Sequence, residues 1–311
     1  MAVVEKREET NGDVAKLTYD PDFTDAVIAA TGPNAHPRLK QIMPSLIRHL
    51  HDFAREVGLT VAEWAEGVEL INEAGRMSTD KRNETQLLCD ILGLESLVDE
   101  ITSSLLSASG PSDVTPSCIL GPFYRANAPL RPNGGSIVQA APDSDWYKSA
   151  EPLLAHVHGR VLSATTGEPI PDVILEVWQA GPNGLYEQQD EAQPDMNLRG
   201  RFRTDSEGRY AMICLRPTAY PVPSDGPGGR LLQMLDRHPW RPAHIHFIVS
   251  REGFRTLTTQ IFDVDDGHIA DDSVFAVKDE LLVKFEKREA EGKGKERAHW
   301  TLQYDFSLCE V

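Results

Sequence analysis

Within HPWRPAHIHF, residues 238–247, His244 and His246 stand two positions apart. If Ile245, Phe247 and Val249 mark an extended strand, its alternation turns both imidazoles to one face. Two neutral imidazoles converging on one point suit several transition ions. Two tyrosines add to the pair. Tyr186 closes the turn-rich run 180–185, and Tyr220 opens the proline- and glycine-rich run 220–229, which reads as a loop. A phenol ordinarily titrates near pH 10 and is a poor ligand at neutral pH. Only a hard, strongly Lewis-acidic ion draws the proton from such a ligand. Two tyrosines with two histidines therefore point to non-haem Fe(III), and not to the Fe(II) set of two histidines and a carboxylate or the Cys/His sets of structural zinc. The competing accounts are a pair of surface histidines on a half-buried strand, a zinc hydrolase, and a β-sandwich binding module without catalysis.

The order Tyr186, Tyr220-Pro221, HPWRPAHIH, then Leu257-Thr258-Thr259-Gln260-Ile261 resembles the intradiol ring-cleaving dioxygenases of the catechol 1,2-dioxygenase type. The segment Ile119-Leu120-Gly121-Pro122-Phe123-Tyr124 is similar to the stretch at the mouth of that family's substrate pocket. The resemblance runs from about residue 20 to the C-terminus. It implies Fe(III), one per subunit, held by Tyr186, Tyr220, His244 and His246, with Tyr220 and His246 axial and Tyr186 and His244 equatorial. Tyr220 would leave the metal when an aromatic diol chelates, taking one of its protons. O2 would then open the ring to a muconate-type diacid. By the same resemblance Arg241 stabilises charge on the activated ring and Gln260 hydrogen-bonds near the metal. Taken alone, Arg241 reads rather as a surface residue or half of an ion pair, and Gln260 as an ordinary strand residue.

Family position also turns Leu87, Asp90, Ile119, Leu120, Gly121, Pro122, Phe123, Ser273 and Val274 toward the substrate. Leu87 and Asp90 are one helical turn apart and can share a direction. A carboxyl in an otherwise apolar pocket is costly without a partner. The catechol enzymes typically carry an apolar residue there, whereas a carboxyl could meet a third ring hydroxyl. The expected substrate is thus hydroxyquinol, opened to 3-hydroxy-cis,cis-muconate or maleylacetate, with catechol or a chlorocatechol as the alternative. Asp90 facing water on its helix is the plainer account. His156 and His158 form a second His-x-His without tyrosine company, and with His238 and His268 they are read as structural.

The elements that must position these groups fall into two regions, 1–110 and 111–311. In the first, Leu39, Ile42, Met43, Leu46, Ile47, Leu50, Phe53, Ala54 and Val57 follow helical spacing up to Gly58, with Pro44 near the start. Thr60 and Glu63 have the capping-box spacing of a second helix. A third helix is expected near 80–92, ending at Gly93, and such helices with short links should form an antiparallel cluster. Beyond 110, segments 156–162, 173–178, 210–213, 244–249 and 257–262 are short, rich in β-branched and aromatic residues, and divided by turns. That pattern predicts an antiparallel β-sandwich. The fold class is α+β: a helical N-terminal region, then a sandwich carrying the site. The charged run 284–297 reads as a solvated loop or helix face. The resemblance further implies a homodimer through the N-terminal helices, with a phospholipid held between them.

The 48 acidic and 31 basic residues among 311 give a net charge of −17, which disfavours a nucleic-acid surface. The start MAVVEKREETNG lacks the apolar core of a signal peptide. No apolar run approaches the ~20 residues of a membrane helix. Cys89, Cys118, Cys214 and Cys309 show no paired spacing, so free thiols in the cytoplasm are expected.

Overall fold

The computed structural model describes residues 19–107, 111, 113–291 and 297–311. The N-terminal stretch read for a signal peptide lies outside them. Compactness divides the chain into two units, one ending at Val68 and the other beginning at Glu69.

The first unit holds α1 (Phe23–Ala29), α2 (Pro37–Glu56) and the start of α3 (Val61–Met77). Pro37 occupies the first turn of α2, where a missing N–H costs nothing, and the side chain of His36 accepts from the Arg38 amide. Gly58 follows at φ +60°, the left-handed stop expected past a helix end. The capping box forms as its spacing predicts. Thr60 N donates to Glu63 Oε2 at 2.8 Å and Glu63 N to Thr60 Oγ1 at 3.3 Å. Phe23 of α1 stacks on His51 of α2 with centroids 5.4 Å apart.

The expected antiparallel cluster with a filled core is not what these helices build. No residue of α2 is buried. Leu39, Ile42, Leu46, Leu50 and Phe53 are 41–55% exposed along a single stripe. Within its unit α2 packs on the short α1, which is too small to cover the stripe. The second unit holds α4 (Glu84–Ile91), α5 (Leu94–Ser107), α6 (Asp145–Ala150) and α7 (Pro227–Met234), and there α4 packs on both α5 and α7. The run 220–229, read as a loop, thus contains the start of α7. Its glycines allow the close fit: a Cβ at Gly228 would stand 3.0 Å from Leu87 Cδ2. The Gly228 amide donates to Glu84 Oε1 at 2.9 Å, tying α7 to α4.

Two five-stranded sheets form the rest. One contains β1 (Leu154–Ser163), β4 (Arg209–Leu215), β10 (Glu286–Glu291), β11 (Ala298–Gln303) and β12 (Phe306–Leu308). The other runs in the order β3 (Arg199–Arg203), β2 (Ile174–Trp178), β7 (His244–Ser250), β8 (Leu257–Asp263), β9 (Leu282–Val283). Inward residues of both sheets share one core: Val157, Met212 and Phe306 on one side, Leu175, Ile245, Phe247 and Val249 on the other. Phe247 and Phe306 meet across it at 5.0 Å.

The sandwich is the one expected, but its sheets are mixed. β1 pairs in parallel with β11 and β12, and β8 with β9. The C-terminal segments reach their partners by long connections, which tight antiparallel turns do not constrain. Residues 286–291 of the charged run form β10, paired with β11, and not a loop or helix face. A two-stranded ribbon, β5 (Tyr220–Pro221) with β6 (Trp240–Arg241), completes the described strands.

Candidate metal centre

Burial of Ile245, Phe247 and Val249 in the core sends His244 and His246 to the opposite face of β7. Neighbouring strands then hold them. Trp178 of β2 lies opposite His246 and stacks on it, centroids 4.7 Å apart and planes 11° apart. Gln260 of β8 is the residue paired with His246 on the other side. The β5–β6 ribbon sets Tyr220 beside Arg241. Tyr186 follows a turn at Gly184 (φ +78°), where a Cβ would come within 2.9 Å of Tyr220 Cβ, so the absence of a side chain lets the two tyrosine segments meet. Behind Tyr186, the buried Arg199 guanidinium lies over its ring at 5.7 Å and donates to Glu187 Oε2 at 2.7 Å.

The four side chains expected to bind metal converge. Tyr186 Oη is 3.1 Å from Tyr220 Oη and 3.2 Å from His246 Nε2. His244 Nε2 is 3.4 Å from Tyr220 Oη and 3.1 Å from His246 Nε2. Metal–ligand bonds of about 2 Å spread neighbouring donors roughly 3 Å apart, so this ring of donors fits a single ion. His244 Nδ1 donates to the Pro242 carbonyl at 2.7 Å, leaving Nε2 bare for a ligand role.

Electrostatics agree. Burial, then the Arg241 charge, pushes His244 down to about 3, and burial holds His246 well below its ordinary value. Both imidazoles are therefore held neutral at neutral pH. Burial raises both phenols, that of Tyr186 strongly and that of Tyr220 against a lowering by Arg241. The protein's own groups do not ionise these tyrosines at neutral pH. A hard trivalent cation would, and the donor set fits one.

Arg241 is buried. Its Nε donates to Asp272 Oδ1 at 3.1 Å and its Nη2 to Gln260 Oε1 at 3.0 Å, and its Nη1 lies 3.1 Å from His244 Nε2. Burial disfavours the charge, but Asp272, Tyr220 and Tyr186 together outweigh this and hold the guanidinium above its ordinary value. Gln260 Nε2 continues the chain to the Ile119 carbonyl at 2.8 Å.

Next to this centre is a small enclosed cleft lined by Leu87, Asp90, Pro122, Phe123, Tyr220, Val222, Pro223, Arg241 and Val274. Of the residues expected to face the substrate, Leu87, Asp90, Pro122, Phe123 and Val274 are in its wall. The others do not line it. Ile119 anchors Gln260, Leu120 packs with the Tyr186–Tyr220 aromatic cluster, and Ser273 donates to the Pro239 carbonyl at 3.2 Å. Gly121, at φ +77°, has room for no Cβ larger than a close contact, 3.2 Å from His246 Cε1. Asp90 is 1% exposed and neither of its oxygens makes a well-formed hydrogen bond. Sequence reasoning missed Val222, Pro223, Trp178 and Asp272. The first two were in view as part of the Tyr220 loop, and the last two carry no motif.

The remaining histidines stand apart. His156 and His158 stack on each other on β1, in the other sheet. His238, His268 and Asp271 are near enough to share an ion, but His238 Nδ1 accepts the Trp240 amide at 3.2 Å. That leaves Nε2 to carry the proton toward Asp271, 3.3 Å away, a hydrogen-bonded surface cluster.

A β-sandwich that brings two tyrosines and two histidines around one point has the donor set a non-haem iron oxygenase would use. Residues 119–309 match the family model described as Dioxygenase, and residues 36–109 the one described as Catechol dioxygenase N terminus. The catechol 1,2-dioxygenase of Candida albicans is 49% identical over 291 residues, covering 92% of this chain and 91% of that protein. The hydroxyquinol 1,2-dioxygenase of a Rhizobium species is 40% identical, covering 92% and 94%. Among solved structures, hydroxyquinol 1,2-dioxygenase from Pseudomonas putida superposes with a TM-score of 0.76 at 37% identity, covering 93% of this chain and 98% of that one. The chain belongs to the intradiol ring-cleaving dioxygenase family and is an intradiol dioxygenase. No described helix is long and apolar enough to cross a membrane.

Proposed function

We propose that this enzyme opens hydroxyquinol (benzene-1,2,4-triol) between its adjacent hydroxyls with O2, giving 3-hydroxy-cis,cis-muconate, whose keto form is maleylacetate. The observation that carries this reading is Asp90, a buried carboxyl in the cleft wall whose oxygens make no well-formed hydrogen bond and which has the Glu95 carboxyl beside it. Such a group is costly unless a ligand satisfies it. A third ring hydroxyl would do so; catechol would leave it unpaired.

In this reading Tyr186, Tyr220, His244 and His246 hold one Fe(III) per subunit. Bound there, Fe(III) supplies the Lewis acidity and one-electron chemistry that let a chelated diol react with O2. The chain's own groups do the rest. Tyr220, as phenolate, accepts a proton from one ring hydroxyl. Arg241 faces the cleft as a fixed cation and stabilises negative charge on the deprotonated ring, an effect worth several kcal/mol in a dry site. Gln260 holds Arg241, and Leu87, Pro122, Phe123 and Val274 exclude water and fix the ring plane. The exposed apolar stripe of α2 supports a homodimer through the N-terminal helices, and a phospholipid held between such helices belongs to the same proposal.

Catechol is the second reading, favoured by the 49% identity to the Candida enzyme. O2 uptake with hydroxyquinol beside catechol separates the two, with Tyr220→Phe protein as the control for spontaneous oxidation of the triol. Fast enzyme-dependent uptake with the triol and little with catechol is expected. Equal or faster turnover of catechol would move the assignment to the second reading.

A further inference from the structure

We propose that Asp272 is the positioning residue for Arg241, fixing the guanidinium between the metal-binding histidine and the cleft. The inference rests on the role given to Arg241 above. Both side chains are almost fully buried, at 4% and 2% exposure, so each charge needs the other. Their contact is two-pronged: Arg241 Nε to Asp272 Oδ1 at 3.1 Å and Nη2 to Oδ2 at 3.2 Å. This fork matches the plane of one group to the plane of the other.

Asp272 is itself held at both oxygens. The Val274 amide donates to Oδ1 at 3.2 Å and the Ala276 amide to Oδ2 at 3.1 Å. One carboxylate therefore anchors two things at once: the cation that faces the cleft, and the backbone that carries Val274 in the cleft wall. At its far end Arg241 reaches His244 Nε2 and Gln260 Oε1. No rotation of the guanidinium keeps the Asp272 fork and also leaves those two contacts unchanged. Neighbouring Asp271 points elsewhere, to His268 at 3.1 Å, so the two adjacent aspartates divide between the surface and the interior.

The test compares Asp272→Asn, Arg241→Gln, the double variant and Arg241→Lys in the iron-loaded enzyme. It reads kcat, KM and the visible tyrosinate-to-iron charge-transfer band. Asp272→Asn should lower kcat roughly 10- to 100-fold, the scale of a misplaced catalytic group, with a smaller change in KM and the band retained. The double variant should be no slower than Arg241→Gln alone, because the two side chains act as one unit. Arg241→Lys keeps both charges but cannot fork, and should lose kcat to a similar degree while leaving Asp272 in place. Millimolar formate should restore part of the rate of Asp272→Ala by filling the carboxylate position.

Wild-type kcat in Asp272→Asn or in Arg241→Lys would overturn the inference. So would losses that multiply in the double variant. Wild-type kcat in Arg241→Gln would instead remove the role of Arg241 itself, and the inference with it. Should the Asp272 variants fail to fold, Arg241→Lys decides alone.

Discussion

Asp90 has two consequences that can be measured separately. Truncation to Asp90→Ala removes the group that distinguishes a third hydroxyl, so the ratio of kcat/KM for hydroxyquinol over catechol should fall at least about tenfold. An unchanged ratio would show that selection is made elsewhere in the cleft. The second consequence concerns pH. Burial, then the nearby Glu95 carboxyl, pushes Asp90 up to about 9, so the protein's own groups hold it protonated at neutral pH. A neutral carboxyl can both donate to and accept from a substrate hydroxyl. Its folded value lies above the ordinary 3.8, so the folded state binds this proton more tightly than the unfolded one, and stability falls as pH rises between the two values. Asp90→Asn cannot titrate. The Tm of that variant relative to wild type, measured without added metal, should therefore improve from pH 5 to pH 8. A gap that stays constant across that range would mean the carboxyl is ionised in the fold.

The segment 119–123 works as an element although it has no regular structure. Its Ile119 carbonyl holds Gln260, its Gly121 lies against His246, and Pro122 and Phe123 wall the cleft. Gly121→Ala adds a methyl 3.2 Å from His246 Cε1 at a backbone angle that L-residues avoid. The backbone strain costs about 1–3 kcal/mol. Displacement of His246 should show instead as faster loss of iron to a chelator and a shifted charge-transfer band. A variant that retains iron as wild type does would mean that His246 absorbs the contact by a small tilt. The same element logic explains α7. Pro227 suits the first turn of α7, but Gly228-Gly229 has poor helix propensity, and a helix runs through it where Gly228 lets α7 approach Leu87 and Ile91 of α4 closely. Tertiary packing overrides local preference there.

At the scale of the molecule, the apolar stripe of α2 is the feature a lone chain leaves unused. Several exposed large apolar residues on one helix face mark an interaction surface. Charges placed in it, as in Leu46→Glu with Leu50→Glu, should convert a dimer to monomer in sedimentation while the iron band and sandwich stability stay intact. A protein that is monomeric before substitution would end the dimer proposal.

Much of the site was legible in the chain because residue type carries chemistry. Tyr186, Tyr220, His244 and His246 are unusual together, and strand alternation alone turns the two histidines to one side. The capping box at Thr60 and Glu63, the helix stop at Gly58 and the alternation of the strands were legible for a similar reason, since each depends on neighbours within a few residues. What the sequence by itself did not determine is every contact made by distant segments. Asp272 has no motif and becomes the partner of Arg241 only when residues 31 apart fold together. The parallel pairing of β1 with β11 and β12 joins segments about 145 residues apart in the register Ala155 with Trp300. The burial of Asp90, too, exists only once α4 meets the 119–123 segment. Local periodicity reports on which face a residue takes; only the packed chain decides what that face meets.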